Sequence, residues 1–254
     1  MLTVLSPAKT LDENPTIPDK HTTPRLLEET EKLARLLKKK SPNQLKTLMK
    51  VSDNLAMLNY ERYQHFELPL RPGNSKQAMF MFKGDVYVDL KASEMNEAEV
   101  DFAQNHLRIL SGFYGLLRPL DLMFPYRLEM GTKLSIGKKK NLYEFWGDKI
   151  VDLLNEDIEA SGSKILLNLA SKEYFKAINT KKLAGKLVNV HFKENRNGIY
   201  KVISFNAKKA RGAMANQIIK YQIQDEEGLK SLLVNNYIYN ESLSKDGELV
   251  FTTD

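Results

Sequence analysis

Three short apolar runs each end in residues able to hold an anion. Ser6, Lys9 and Thr10 follow Leu2 to Leu5. Lys83 and Gly84 follow Met79 to Phe82. Asn168, Ser171, Lys172, Glu173 and Tyr174 follow Ile165 to Leu169. In open α/β sheets, ligands bind beyond the carboxyl ends of the strands. Side by side, these ends would bring Lys9, Lys83 and Lys172 into one cleft. Crowded ammonium groups repel one another and so favour a bound anion such as phosphate. The alternative is that each is an ordinary solvated strand end.

A second group lies at Gly112-Phe113-Tyr114-Gly115-Leu116-Leu117-Arg118-Pro119-Leu120-Asp121, with Phe124, Tyr126, Arg127 and Glu129 close behind. Aromatics beside arginines can stack on bases or sugars. The bland reading is a structural loop in which Arg118 pairs with Asp121 or Glu129. Metal ligation has little support. His21, His65, His106 and His191 are scattered, without a helical His-x-x-x-His or His-x-x-Glu pattern. Neither a Gly-x-Gly-x-x-Gly nor a Walker loop occurs, no Ser-His-Asp trio can be assigned from spacing, and no cofactor is expected.

A third group sits on a helical hairpin. Ser41 caps a helix, Pro42 takes its first position and Gln44 completes a capping box. Ser52 then caps a second helix after a very short turn. The start of such a helix presents free backbone N–H groups, and a DNA phosphate is one ligand for them. Lys46, Lys50, Ser52 and Asn54 lie near that point. Hairpins of this kind ordinarily carry glycine in the turn, where this one has Lys50-Val51-Ser52.

The elements that must position these groups follow from periodicity. Leu2 to Leu5 reads as a strand. Asp12 to Pro24, with three prolines, reads as a loop. Thr23 and Pro24 open a helix with Leu26, Thr30, Leu33 and Leu37 on one face. Ala78 to Phe82 is expected as a strand, and Ser93 to Leu110 as one helix. Residues 111 to 137 read as a long ordered loop, and Asn141 to Asn155 as a helix. Ile165 to Leu169 is a buried strand, and Ser171 to Ile178 a short helix. Leu187 to Phe192 and Ile199 to Phe205 form a hairpin about Asn197-Gly198. Ala207 to Gln224 is helical, and Glu248 to Thr252 is a final strand. Interleaved strands and helices give an α/β (α+β mixed) class: one compact domain over 1–254, a mixed central sheet flanked by helices, and an inserted helix-hairpin-helix element at about 41–65.

Composition bounds the function. The chain has 254 residues and no cysteine. Disulfides, thiolate metal sites and a cysteine nucleophile are therefore excluded. The N-terminus has no signal-peptide pattern and no run spans a bilayer, so a cytoplasmic location without membrane partners is expected. The net charge is +6, but it is uneven. Residues 172 to 220 carry 12 basic and 2 acidic residues, a net of +10, which leaves −4 for the rest. Lys138, Lys139 and Lys140 read as a solvated face. The +10 segment also carries strand and helix pattern, so it should be folded surface with a positive field.

Read together, several motifs resemble a known family. They are Leu5-Ser6-Pro7-Ala8-Lys9-Thr10, Ser111 to Asp121, Tyr126-Arg127-Leu128-Glu129-Met130, Asn168-Leu169-Ala170-Ser171-Lys172-Glu173-Tyr174 and Ala210-Arg211-Gly212-Ala213-Met214-Ala215. Their order along the whole chain resembles the YaaA family of bacterial peroxide stress resistance proteins. One departure is Asp89 in Val86-Tyr87-Val88-Asp89-Leu90, where the family usually has glycine. The resemblance implies a cytosolic protein that protects cells from hydrogen peroxide, with lowered free iron as the proposed route. It also implies a compact α/β fold with a helix-hairpin-helix, a positively charged cleft and DNA binding.

Two principal readings follow. In the first, the chain is a DNA-binding stress protein, largely indifferent to sequence. Lys46, Lys50, Ser52, Asn54, Lys172, Lys208, Lys209 and Arg211 then contact DNA, and any iron effect is indirect. The alternative is an enzyme on a nucleotide or other phosphorylated small molecule. Its cleft would use Ser6, Lys9, Lys83, Arg118, Arg127, Glu129, Asn168, Ser171 and Glu173, with Lys9 or Lys83 clamping the anion and Glu129 or Glu173 moving the proton. An RNA-binding or ribosome-associated factor is a third reading.

Overall fold

The computed structural model describes residues 1–14 and 19–253, so part of the proline-bearing stretch of Asp12 to Pro24 lies outside the described residues. An eight-stranded mixed sheet forms the centre. Its strands are β1 (Leu2–Leu5), β2 (Leu107–Ser111), β3 (Gly115–Leu117), β4 (Ile165–Asn168), β5 (Lys186–Arg196), β6 (Ile199–Lys201), β7 (Ile238–Tyr239) and β8 (Glu248–Thr253). The order is β7-β8-β5-β4-β1-β2-β3, with β6 paired to β5. Contacts of β1 with β2 and β4, of β4 with β5, and of β5 with β8 are parallel. Those of β3, β6 and β7 are antiparallel. Five inner strands are parallel, and the central ones, β1, β2 and β4, bury residues on both faces, as helix-covered strands do. Leu2, Val4, Leu5, Ile109, Leu166 and Leu167 are fully buried.

The helices are α1 (Leu27–Lys38), α2 (Pro42–Met49), α3 (Asp53–His65), α4 (Ala78–Met81), α5 (Asp85–Leu90), α6 (Glu97–His106), α7 (Leu142–Trp146), α8 (Lys149–Ala160), α9 (Lys172–Phe175), α10 (Ser204–Lys220) and α11 (Glu226–Lys230). Among the described residues, no helix is long and apolar enough to cross a membrane. α10 packs on α5 and α6. That approach needs Gly212, because a Cβ there would overlap the Val86 carbonyl oxygen.

Several expected elements differ. Ala78 to Phe82 is the helical turn α4 followed by a two-residue strand, Phe82–Lys83. Ala78 and Met79 give their N–H groups to Asp121 and Pro119 carbonyls, so tertiary bonds override the strand pattern of this short apolar run. The expected helix over Ser93 to Leu110 divides. Asn96 and Glu99 form a capping box at the start of α6, and the chain turns directly into β2 after His106. The 111–137 segment contains β3 and the strand Leu122–Met123. Gly147, at φ 52°, breaks Asn141 to Asn155 into α7 and α8. The first helix starts at Leu27, not at Thr23. Thr22 bonds Asp121, and the Thr23 carbonyl accepts from Arg118. The Asn197-Gly198 turn is present with both residues at positive φ, but β6 stops at Lys201 and α10 takes the following residues.

Candidate functional site

The carboxyl ends of β1 and β4 meet as expected. The Ser171 N–H donates to Ser6 Oγ at 2.8 Å, and the Ser6 hydroxyl donates to Ser171 Oγ at 3.2 Å. Register explains the meeting, since Val4 lies opposite Asn168. Asn168 continues the polar row sideways. Its Oδ1 accepts from Ala170 N–H and its Nδ2 donates to Asn189 Oδ1 at 2.8 Å. Asn189 in turn donates to Glu248 at 2.8 Å, and the other Glu248 oxygen meets His191. Burial pushes the Glu248 carboxyl up, but hydrogen bonds from His191 and Asn189 outweigh it and hold the group below its ordinary range.

Lys9, Arg127 and Glu129 form one cluster. A single carboxylate holds both cations, with Lys9 Nζ at 2.9 Å and the Arg127 guanidinium at 3.2 Å. Tyr174 and Tyr126 wall the narrow gap beside them. Burial pushes both phenols well up, so both stay neutral hydrogen-bonding groups. Glu173 is turned to a structural task, accepting the Gly131 N–H at 2.9 Å. The helical hairpin is tied to this cluster, because the Tyr63 hydroxyl of α3 donates to the Arg127 carbonyl at 2.6 Å.

Two expected cleft residues go elsewhere. Lys83 leans toward Asp12, 3.7 Å away across the short ladder of Thr10–Leu11 with Phe82–Lys83. Arg118 is separated from the cleft by topology. β3 runs antiparallel to β2, with Ile109 opposite Leu117, so Arg118 emerges at the amino end of the sheet. There it bonds the fully buried Asp121 at 2.9 Å and the Thr23 carbonyl at 3.0 Å.

On the hairpin, the Ser41 capping box and the Ser52 cap are both formed. Lys50 adopts the left-handed conformation in the turn, at φ 54° and ψ 52°. Lys46 is paired with Asp53 at 2.8 Å, and Asn54 is exposed. The Asp53 carboxylate shares the first turn with the N–H groups that would face a phosphate.

The +10 segment divides in two. Lys182, Lys186 and Arg196 are neutralised by Asp148, by Glu226 and Asp246, and by Glu194. The other nine have no carboxylate within 4.0 Å among the described residues: Lys176, Lys181 and Lys220, and the six at Lys172, Lys193, Lys201, Lys208, Lys209 and Arg211. Topology places most of them near the carboxyl end of the sheet. β5 continues beyond Asn189, where β4 ends, and the β5–β6 hairpin overhangs that edge. α10 starts beside it, with Asn206 bonded to Glu194. Lys209 stacks over Phe205, 5.0 Å from the ring centre, and Phe205, Ile199 and Val202 are exposed. Arg211 lies further along α10 beside Gly212. Burial pushes its guanidinium pKa down, and its Nε has no partner. Sequence reasoning counted Lys193 and Lys201 only as charge. Their shared hairpin with Tyr200 was the available signal.

The family model described as "Peroxide stress protein YaaA" matches residues 1–243, and the chain belongs to that family. A UPF0246 protein of Alteromonas mediterranea is 52% identical over 99% of this chain and 97% of its own length. One from Hahella chejuensis is 49% identical over the full length of both. The chain therefore has a general role in peroxide stress. Asp89 lies inside α5 and accepts from Asn235 at 2.8 Å, so the chain is helical there.

Proposed function

We propose that this protein serves the peroxide stress response by binding DNA, gripping phosphates largely without base readout, and so limits iron-dependent oxidative damage indirectly. The observation that carries the reading is a group of six of the nine unneutralised cations of this segment, Lys172, Lys193, Lys201, Lys208, Lys209 and Arg211. A folded protein pairs or solvates its lysines singly. A same-sign group interleaved with an exposed aromatic suits a polyanion with stackable rings. Lys50, Ser52 and Asn54 at the start of α3 would add phosphate contacts, with Lys46 joining once it leaves Asp53. The enzyme reading uses the strand ends. There Ser6 is engaged with Ser171 rather than with a base, and Glu129 with two cations, which favours the DNA reading.

The test is fluorescence anisotropy of a labelled duplex across salt. With about five phosphates contacted, affinity should fall by roughly 500-fold between about 50 and 200 mM salt. No binding, or binding indifferent to salt, would overturn the proposal.

A further inference from the structure

A cavity of about 280 Å³ opens among the ladder of Thr10–Leu11 with Phe82–Lys83, α4, α5 and the turn at 92–94. That is close to the lower end of small-molecule sites, roughly 300 Å³. Three lysines reach it: Lys76, Lys83 and Lys91. The acids are Asp12 and Glu94, so cations are in excess. Phe80, Phe82 and Tyr87 supply its aromatic wall, with Phe82 and Tyr87 centred 5.2 Å apart.

Lys76 is the unusual member. Its side chain is only 8% exposed, and lysine is almost never that buried without a close partner. It donates one hydrogen bond, to the Asp12 carbonyl at 3.1 Å. The Asp12 carboxylate stands 3.9 Å from Lys76 and 3.7 Å from Lys83. It sits between two ammonium groups with neither separation at hydrogen-bond distance. Burial pushes the Lys76 pKa down, and the nearby Asp12 charge works against that shift. A dianion entering here would give both ammonium groups closer oxygen partners, with Lys91 able to leave Glu94, 3.4 Å away on the surface.

We infer that this cavity is a binding site for a small phosphomonoester carrying a planar aromatic ring, its phosphate held by Lys76 and Lys83 and its ring laid along Phe80, Phe82 and Tyr87. The site is independent of the DNA reading, since it is concave, sized for one small molecule and built from residues outside the six cations assigned to DNA. Nucleotides and vitamin-derived phosphates both have this chemistry, and the experiment separates them.

Calorimetry on the full chain would use AMP, UMP, pyridoxamine 5′-phosphate and inorganic phosphate as probes. At least one aromatic phosphate should bind about tenfold tighter than inorganic phosphate, a difference of about 1.4 kcal/mol. Lys83→Ala and Lys76→Met should each weaken that ligand about tenfold or more, while Lys32→Ala on α1 leaves it unchanged. Because Lys76→Met alters a buried position, the exposed Lys83 variant keeps the test valid if the first fails to fold. Absence of binding by every probe overturns the inference. So does equal binding of inorganic phosphate, or binding unaffected in Lys83→Ala. A DNA assay on the same samples tells the two proposals apart, since each can fail while the other stands.

Discussion

Asp157 holds two arginines at once. Arg25 bonds both its oxygens, at 3.0 and 2.8 Å, and Arg108 Nε donates to one of them at 2.6 Å. Burial pushes the carboxyl up, but the hydrogen bonds and charges of Arg108 and Arg25 outweigh it and hold it below its ordinary value. A lowered folded pKa stabilises above the unfolded value, near pH 4, and that stability is lost as pH falls through the folded value. Asp157→Asn leaves two arginines facing a neutral amide, and should cost about 3 kcal/mol at neutral pH. In urea titrations the gap to the wild type should narrow on going from neutral pH to about pH 3. A gap that stays constant would refute the account. The same logic explains why Arg118 is no ligand clamp, since Asp121 already claims it without solvent between them.

At the scale of elements, the contact of α10 with α5 fixes the corner next to Lys83 and Gly84. Helix axes approach this closely only where side chains are absent, and Gly212 supplies the gap. Gly212→Ala gains intrinsic helix propensity of about 1 kcal/mol. It should nevertheless destabilise, by roughly 1–3 kcal/mol, because the methyl group must displace the Val86 carbonyl. A lowered midpoint in chemical denaturation checks this, and a raised one would show that α10 can slide. The helical hairpin is a second device of this kind. Tyr63 anchors it to the Arg127 carbonyl, so it is braced against the Lys9–Glu129 cluster rather than hung from a linker.

For the molecule as a whole, position of charge should matter more than its sum. Lys138→Glu with Lys139→Glu changes net charge by as much as Lys201→Glu with Lys208→Glu. On the DNA reading, only the second pair belongs to the proposed interface. It should weaken duplex binding at least about tenfold and reduce the magnitude of the salt slope by about 2. The first pair should leave both near the wild type. Equal losses from the two pairs would mean that binding follows bulk charge alone.

Elements whose signals are local are legible in the amino-acid order. The capping boxes at Ser41 and Asn96 each rest on residues three apart. The Asn197-Gly198 turn needs left-handed backbone, and Asn-Gly supplies it. Buried strands such as β1 and β4 declare themselves by unbroken apolar runs. The +10 segment is equally plain as a count. Tertiary structure alone decided which of those cations are free, because an ion pair such as Lys186 with Asp246 joins residues far apart in the chain. It also decided that Ala78 to Met81 turns as a helix, since its hydrogen-bond partners come from Pro119 and Asp121. Arg118 and Lys76 show the limit most sharply. An antiparallel strand carried Arg118 away from the cleft, and folding buried Lys76 in a cavity wall that no spacing rule announces. Patterning reads which face is apolar, but only packing brings distant side chains within contact distance.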